Sequence, residues 1–251
     1  MPRLFRVARR RGPPLPPDAD AATRAIIERV APFTMTSPER IMALIEAVRH
    51  VCRHGIPGAI VECGVWRGGS MMAAALTLLE LGERRPLHLF DTFTGMPPPG
   101  AADRDLAGTP ATRLLAAEDP ATGGTWAVGP LDDVRHNVLG TGYPAELVEF
   151  VPGRVEETVP GRAPDRIAVL RLDTDWYEST RHELEHLYPR LAVGGLLIID
   201  DYGHWEGARR AVDEYLAASG SRLFLSRIDY TGRLAVKLEA CPPSPGTPVS
   251  P

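Results

Sequence analysis

Two acidic runs, Leu172-Asp173-Thr174-Asp175 and Ile199-Asp200-Asp201, each close an apolar stretch, and their residue types point to cation chemistry. If the two stretches are neighbouring strands, about 4.8 Å apart, their ends place Asp173, Asp200 and Asp201 around one point. Carboxylates that close repel and raise one another's pKa unless a cation neutralises them. An all-oxygen donor set favours Mg²⁺, Mn²⁺ or Ca²⁺ over zinc. A second constellation is Glu62-Cys63-Gly64-Val65-Trp66-Arg67-Gly68-Gly69-Ser70. Its glycines let the backbone approach a ligand closely, and the helix that follows offers unpaired N–H groups. The GxxxGG spacing differs from the GxGxxG of dinucleotide folds, and a carboxylate, Glu62, stands at the strand end. Asp91 closes a further apolar run 29 residues later. A carboxylate there accepts bonds from ribose hydroxyls, which suits an adenosine-containing cofactor.

These residues need a scaffold that gathers strand ends. Short apolar runs at 59–63, 87–91, 147–151, 167–173 and 195–200 read as strands, and amphipathic segments at about 70–81, 180–191 and 205–218 read as helices. Met71, Met72, Leu76 and Leu79 form a core stripe. Strands alternating with helices make a mostly parallel sheet covered on both faces. Two final runs, 222–228 and 233–239, joined through Tyr230-Thr231-Gly232, read as an antiparallel hairpin at one edge. Thr180 and Glu183 have capping-box spacing, which frees Asp173 and Asp175 from a capping role. Ser37-Pro38 starts an earlier helix carrying Ile41, Met42, Leu44, Ile45, Val48 and Cys52. His136, His182 and His186 fall at helix-surface spacing, while His204 stands apart because it follows Asp200-Asp201-Tyr202-Gly203. Residues 1–20, rich in Arg and Pro, read as a loose arm, and 241–251 as a loose tail. Between them 21–240 reads as a single domain, with 21–57 as an N-terminal helical and lid addition.

Composition narrows the function. The chain has 251 residues, 44% hydrophobic, with 28 Lys+Arg against 32 Asp+Glu. A formal charge of −4 lacks the electrostatic footprint of a nucleic-acid binder. No apolar run is long enough to span a bilayer, and no apolar segment follows the N-terminal arginines, so neither secretion nor membrane insertion is expected. Cys52, Cys63 and Cys241 are far apart and odd in number, which reads as free thiols in a reducing cytoplasm. Lys237 is the only lysine. That bias is assigned to GC-rich coding rather than to any guanidinium-specific function.

The stretches VECGVWRGGSMM, LFDTFTGMPPP, LDTDWYEST and LIIDDYGHWEGARRAVDEY resemble the macrocin O-methyltransferase family, from about Phe33 to Glu239. The resemblance implies a class I, S-adenosylmethionine-dependent methyltransferase fold, a Rossmann-like three-layer α/β sandwich. It also implies methylation, with Mg²⁺, of a sugar hydroxyl on a small glycosylated natural product, as in antibiotic and deoxysugar biosynthesis. By matching positions, Glu62, Gly64 and Ser70 contact the methionine and ribose part of the cofactor, Asp91 the ribose hydroxyls, and Arg154 and Val155 the adenine. Asp173 also lies at the cofactor, and Asp173, Asp200 and Asp201 are the implied metal ligands. The GRVEET segment holding Arg154 departs from relatives, which commonly show an aromatic residue and an aspartate there. A mobile segment is implied around Phe33, Thr34, Met35 and Thr36.

Transfer of a methyl group from a sulfonium is an in-line displacement, and a sugar hydroxyl needs acidifying by a cation and a carboxylate base. Asp173 or Asp175 is that base. The long segment 97–130 is expected to shape acceptor selectivity. A homo-oligomer, built by sheet-edge pairing or by docking of the N-terminal helix, is also expected. The rival readings are a nicotinamide-dependent dehydrogenase, which gives the three aspartates no role, and a metal-dependent glycosyltransferase using Asp173-Thr174-Asp175, which gives the glycine turn none. A non-catalytic binding module predicts missing acidic residues, and all are present.

Overall fold

The computed structural model describes residues 15–120 and 124–240. Asp20 caps helix α1 (Ala21–Val30), accepting the Thr23 N–H at 2.7 Å. Residues 15–20 fall in the predicted loose arm, yet Ala19 is buried and Arg24 donates to the carbonyls of Pro16, Pro17 and Ala19. Composition does not reveal such a backbone clamp. The remainder of the arm and the predicted tail from Cys241 onward lie outside the described residues. Ser37 caps α2 (Pro38–Arg53) with proline in the first turn, and Ile41, Leu44, Ile45, Val48 and Val51 are buried along one stripe.

There follow β1 (Ala59–Cys63), α3 (Gly69–Leu81), β2 (Leu87–Asp91), α4 (Ala111–Ala117), α5 (Leu131–Leu139), β3 (Val148–Pro152) and α6 (Val155–Thr158). Then come β4 (Ile167–Leu172), α7 (Tyr177–His186), β5 (Leu191–Ile199), α8 (Glu206–Ser219), β6 (Ser226–Arg227) and β7 (Arg233–Val236). The strands form one seven-stranded sheet in the order β3-β2-β1-β4-β5-β7-β6, with β7 antiparallel to both its neighbours. Ile26, Ile45, Met71 and Val134, from α1, α2, α3 and α5, cover one face. Val155, Leu184 and Val212, from α6, α7 and α8, cover the other. This is the three-layer α/β sandwich with an antiparallel edge that alternating patterns predict. Chain order reverses between β1 and β4, so ligands are expected beyond their carboxyl ends.

Four elements differ from expectation. Helix α7 starts at Tyr177, with Trp176 at the N-cap, because the Tyr177 N–H is held by buried Asp103 at 2.8 Å. Thr180 and Glu183 are both buried, so the capping box does not form. Strand β5 starts at Leu191 rather than Gly195, and of the expected strand at 222–228 only Ser226 and Arg227 pair, while Phe224 stands 83% exposed with no layer over it. The expected irregular stretch 97–130 contains α4 and feeds a small apolar cluster of Ala111, Leu115, Trp176, Trp205 and Ala208. The Trp176 indole donates to Pro97 O at 3.0 Å, Trp126 to Leu115 O at 3.1 Å, and the Trp176 and Trp205 rings meet edge-on at 4.9 Å. The partners of this short helix lie far along the chain, so the insertion carries no periodic signal of its own.

At the far edge Lys237 is buried. Its ammonium donates to the carbonyls of Tyr188 at 2.9 Å, Pro189 at 3.3 Å and Leu191 at 2.7 Å, and sits 4.7 Å from the Tyr188 ring centre. Cys52 and Cys63 are free thiols. Among the described residues no helix is long and apolar enough to cross a membrane.

Candidate active site

A cleft of about 320 Å³ opens beyond the carboxyl ends of β1, β2 and β4. Gly64, Ser70, Asp91, Arg154, Val155, Asp173, Asp175, Asp200 and Asp201 all line it, and of the residues singled out from sequence only Glu62 lies behind the wall. At the β1 end, Gly64 has φ +82°, and a Cβ there would overlap the Asp173 carbonyl, so the close approach of β1 and β4 requires glycine. Asp91 gathers this turn. Its carboxylate accepts the N–H groups of Val65 at 2.6 Å, Trp66 at 3.1 Å and Phe93 at 2.7 Å. Those bonds hold Trp66 and Phe93 at positive φ, 47° and 56°, conformations that cost about 1–3 kcal/mol each and concentrate at working sites. Burial pushes the Asp91 pKa upward against these three donors, and a carboxylate with about four acceptor positions retains room for a ligand hydroxyl.

Behind Ser70 the register of β1 and β4 sets Glu62 opposite Arg171. Arg171 is 2% exposed and is the hub of the site. Its guanidinium bonds Glu62, Asp173 at 2.7 Å, Asp200 at 2.5 Å and the Thr36 hydroxyl at 2.8 Å. Burial opposes its charge, but Asp173 and Glu62 more than offset that and hold it protonated. Glu62 is driven by burial up to about 7 despite Arg171, and its Oε2 has no protein partner. Arg40, from α2, bonds the other oxygen of Asp200 and reaches Asp229 at 2.9 Å.

Asp200 therefore departs from the expected cation trio: both of its oxygens face guanidinium groups. The carboxylates that converge are Asp173, Asp175 and Asp201, with one oxygen of each within 4.8 Å of the others. Asp175 sits at φ +64°, a left-handed turn that aims its side chain back towards Asp201. Burial and Asp201 push the Asp175 pKa well up, and burial with Asp173 pushes Asp201 to about 7. Glu62, Asp173, Asp175, Asp200, Asp201 and Asp229 set six carboxylates against two guanidiniums. An oxygen-only donor set with that deficit of positive charge fits a hard divalent cation.

The segment Thr34–Thr36 forms one wall, and Phe33 and Thr34 pack so closely on Gly69 that a Cβ there has no room. Gly124, Thr125 and Ala127 of the insertion also line the cleft, with Met96 just before it, and Met35 Sδ comes within 4.0 Å of the Cβ position of Gly124. His204 also lines the cleft, its Nδ1 3.4 Å from the Tyr230 hydroxyl. Sequence reading missed Arg171, Arg40 and Asp229. Only Arg171 left a signal, a lone charge within the apolar run Ile167–Leu172, since a buried charge needs partners.

Fold and site together define a class I O-methyltransferase, and the solved O-methyltransferase NovP superposes with a TM-score of 0.72 at 34% identity, over 82% of this chain and 83% of that one. The family model described as macrocin-O-methyltransferase (TylF) matches residues 17–236. The chain belongs to that family and is an O-methyltransferase, which sets the dehydrogenase and glycosyltransferase readings aside. It is 38% identical over 221 residues, 86% of this chain and 80% of the relative, to the 8-demethyl-8-(2,3-dimethoxy-alpha-L-rhamnosyl)-tetracenomycin-C 4'-O-methyltransferase of Streptomyces olivaceus. It is 35% identical over 201 residues, 79% and 76% of the two chains, to the mycinamicin III 3''-O-methyltransferase of Micromonospora griseorubida.

Proposed function

We propose that this protein transfers the methyl group of S-adenosylmethionine to a sugar hydroxyl of a glycosylated natural product, with a divalent cation bound at the acidic cluster. The observation that carries the reading is the adjacency, in one cleft, of the Asp91-gathered glycine turn and three converging carboxylates. The relatives, whose names specify glycosylated acceptors, supply the substrate class.

In this reading Asp91 receives the ribose hydroxyls, and Gly64 and Ser70 allow the methionine portion to lie against β1. The unpartnered Oε2 of Glu62 suits an ammonium group. Val155 and Arg154 lie beside the adenine, with Val155 as the apolar contact. Asp173 and Asp201 hold the cation, together with Asp175 in the arrangement present here. Asp200 takes that third place only when Arg40 and Arg171 release it. A divalent cation held by these carboxylates would supply Lewis acidity to an acceptor hydroxyl. Asp173 is the base: Arg171 fixes one of its oxygens, whereas burial and Asp201 push the Asp175 pKa well up. Thr34–Thr36 and the insertion wall off water and align the acceptor oxygen with the sulfonium methyl, and alignment is itself a large share of the rate. The insertion sets acceptor choice.

The test is calorimetric titration with S-adenosylhomocysteine, with NAD⁺ and UDP as controls, followed by methyl-transfer assays on rhamnosylated acceptors with Mg²⁺ or EDTA. Micromolar binding of S-adenosylhomocysteine alone, and transfer abolished by EDTA, are expected. Binding of NAD⁺ instead, or transfer indifferent to EDTA, refutes the reading.

A further inference from the structure

Beneath the acidic turn lies a carboxyl group that the chemistry above does not use. Glu183, on α7, is 0% exposed. Its Oε1 accepts the Thr174 hydroxyl at 3.0 Å, and Oε2 has no partner. The ionisable groups that bear on it are themselves acids, Glu156, Asp201 and Asp173, with the Cys63 thiol alongside. Burial and these acids push the Glu183 pKa well up, which favours the neutral form, a group with amide-like hydrogen-bonding capacity.

Thr174 is the middle residue of the turn that carries Asp173 and Asp175. The main chain of this turn is tied by Asp173 N–H to Cys63 O at 2.9 Å, Trp176 N–H to Thr174 O at 2.7 Å, Asp175 N–H to Asp201 Oδ2 at 3.2 Å and a long bond from the Ser179 hydroxyl to Thr174 O at 3.4 Å; the Thr174 side chain adds the one bond to Glu183. At its end Asp175 holds a left-handed conformation, uncommon outside glycine although aspartate tolerates it better than most residues. The Thr174–Glu183 bond fastens the turn to helix α7, and so supports the carboxylates on either side of Thr174.

We propose that Glu183 is a positioning residue for the cation-binding carboxylates, acting through the Thr174 hydroxyl to hold Asp173 and Asp175 convergent. This rests on the cation reading given above. A neutral carboxyl has a near-isostere in glutamine, so Glu183→Gln preserves the acceptor for Thr174, whereas Glu183→Met removes it while filling the space. Thr174→Ser keeps the hydroxyl, and Thr174→Val removes it while leaving the Glu183 side chain itself unaltered.

The experiment measures Mn²⁺ affinity of the full-length protein by electron paramagnetic resonance, and S-adenosylhomocysteine affinity of the same samples by calorimetry. Glu183→Gln and Thr174→Ser are expected to bind Mn²⁺ within about twofold of wild type, and Glu183→Met and Thr174→Val about tenfold more weakly, with S-adenosylhomocysteine affinity unchanged throughout. Wild-type Mn²⁺ affinity in Glu183→Met and Thr174→Val overturns the proposal, as does a loss in Glu183→Gln equal to that in Glu183→Met. If Glu183→Met does not fold, the Thr174 pair decides alone. Failure of wild type to bind Mn²⁺ refutes the cation reading itself, a result distinct from wild-type binding that ignores these substitutions.

Discussion

Replacing Arg171 with methionine tests the account of the site at its centre. The substitution keeps the length of the side chain and deletes the guanidinium that bonds Glu62, Asp173 and Asp200. Asp200 keeps Arg40, but Glu62 loses its cation in a dry site and Asp173 loses its cation at the cleft wall. Removing one partner of a buried ion pair costs about 3–5 kcal/mol, because the charge left behind has neither water nor a counter-ion. At about 2–4 °C per kcal/mol for a chain of this size, the melting temperature falls by about 6–20 °C. The deficit must depend on pH. Glu62 is already raised to about 7 with Arg171 present. A carboxyl with a raised folded pKa contributes stability that is present below its unfolded pKa of 4.5 and is lost as pH rises through the folded value. Without Arg171 the folded value climbs further, so the gap between variant and wild type widens between about pH 5.5 and pH 8. Differential scanning calorimetry without added metal at both pH values is the assay. A deficit below about 2 °C at pH 8, or one equal at the two pH values, refutes the reasoning.

Three further predictions concern the acidic cluster. Asp201 is raised to about 7 by burial and Asp173, so the metal-free protein loses this contribution between the carboxylate's usual value near 4 and pH 7, and the stabilisation by Mg²⁺ grows over the same window; a thermal shift no larger at pH 8 than at pH 6 contradicts it. Asp173→Asn should lower kcat by about 10²–10⁴ with S-adenosylhomocysteine affinity held within about threefold, and Asp175→Asn should weaken Mn²⁺ binding more than Asp200→Asn does; the reverse order in titrations of the two variants gives the third ligand position to Asp200.

The strands were legible because the central ones are buried on both faces and read as short apolar runs, with 59–63 and 87–91 recovered to the residue. Strand ends then located the cleft, since a doubly wound sheet leaves its switch point open. What the sequence did not carry was direction. Asp173, Asp175, Asp200 and Asp201 are equivalent in text, and their sorting into a converging trio and an ion-paired fourth depends on Arg40, 160 residues from Asp200, and on a left-handed turn at Asp175. Thr180 and Glu183 likewise have the spacing of a cap, but burial of Trp176 and the Asp103 bond move the helix start by three residues and turn Glu183 inward. The insertion was unreadable for a related reason: its one helix buries only Ala111 and Leu115, too short a repeat to stand out, and they pack on Trp176 and Trp205, far along the chain.

Lys237 shows how a composition bias can hide a requirement. Three carbonyls converge on one point at the end of β7, a geometry that a compact tetrahedral ammonium satisfies and a planar guanidinium does not, so arginine cannot stand in here however strongly the coding prefers it. With the sole lysine sealed in this way, amine-reactive dyes and coupling resins have only the chain's terminal amine to react with while the protein is folded. Immobilisation through amines therefore holds every molecule by one point, and the onset of labelling at Lys237 becomes a direct chemical report of unfolding at this edge of the sheet.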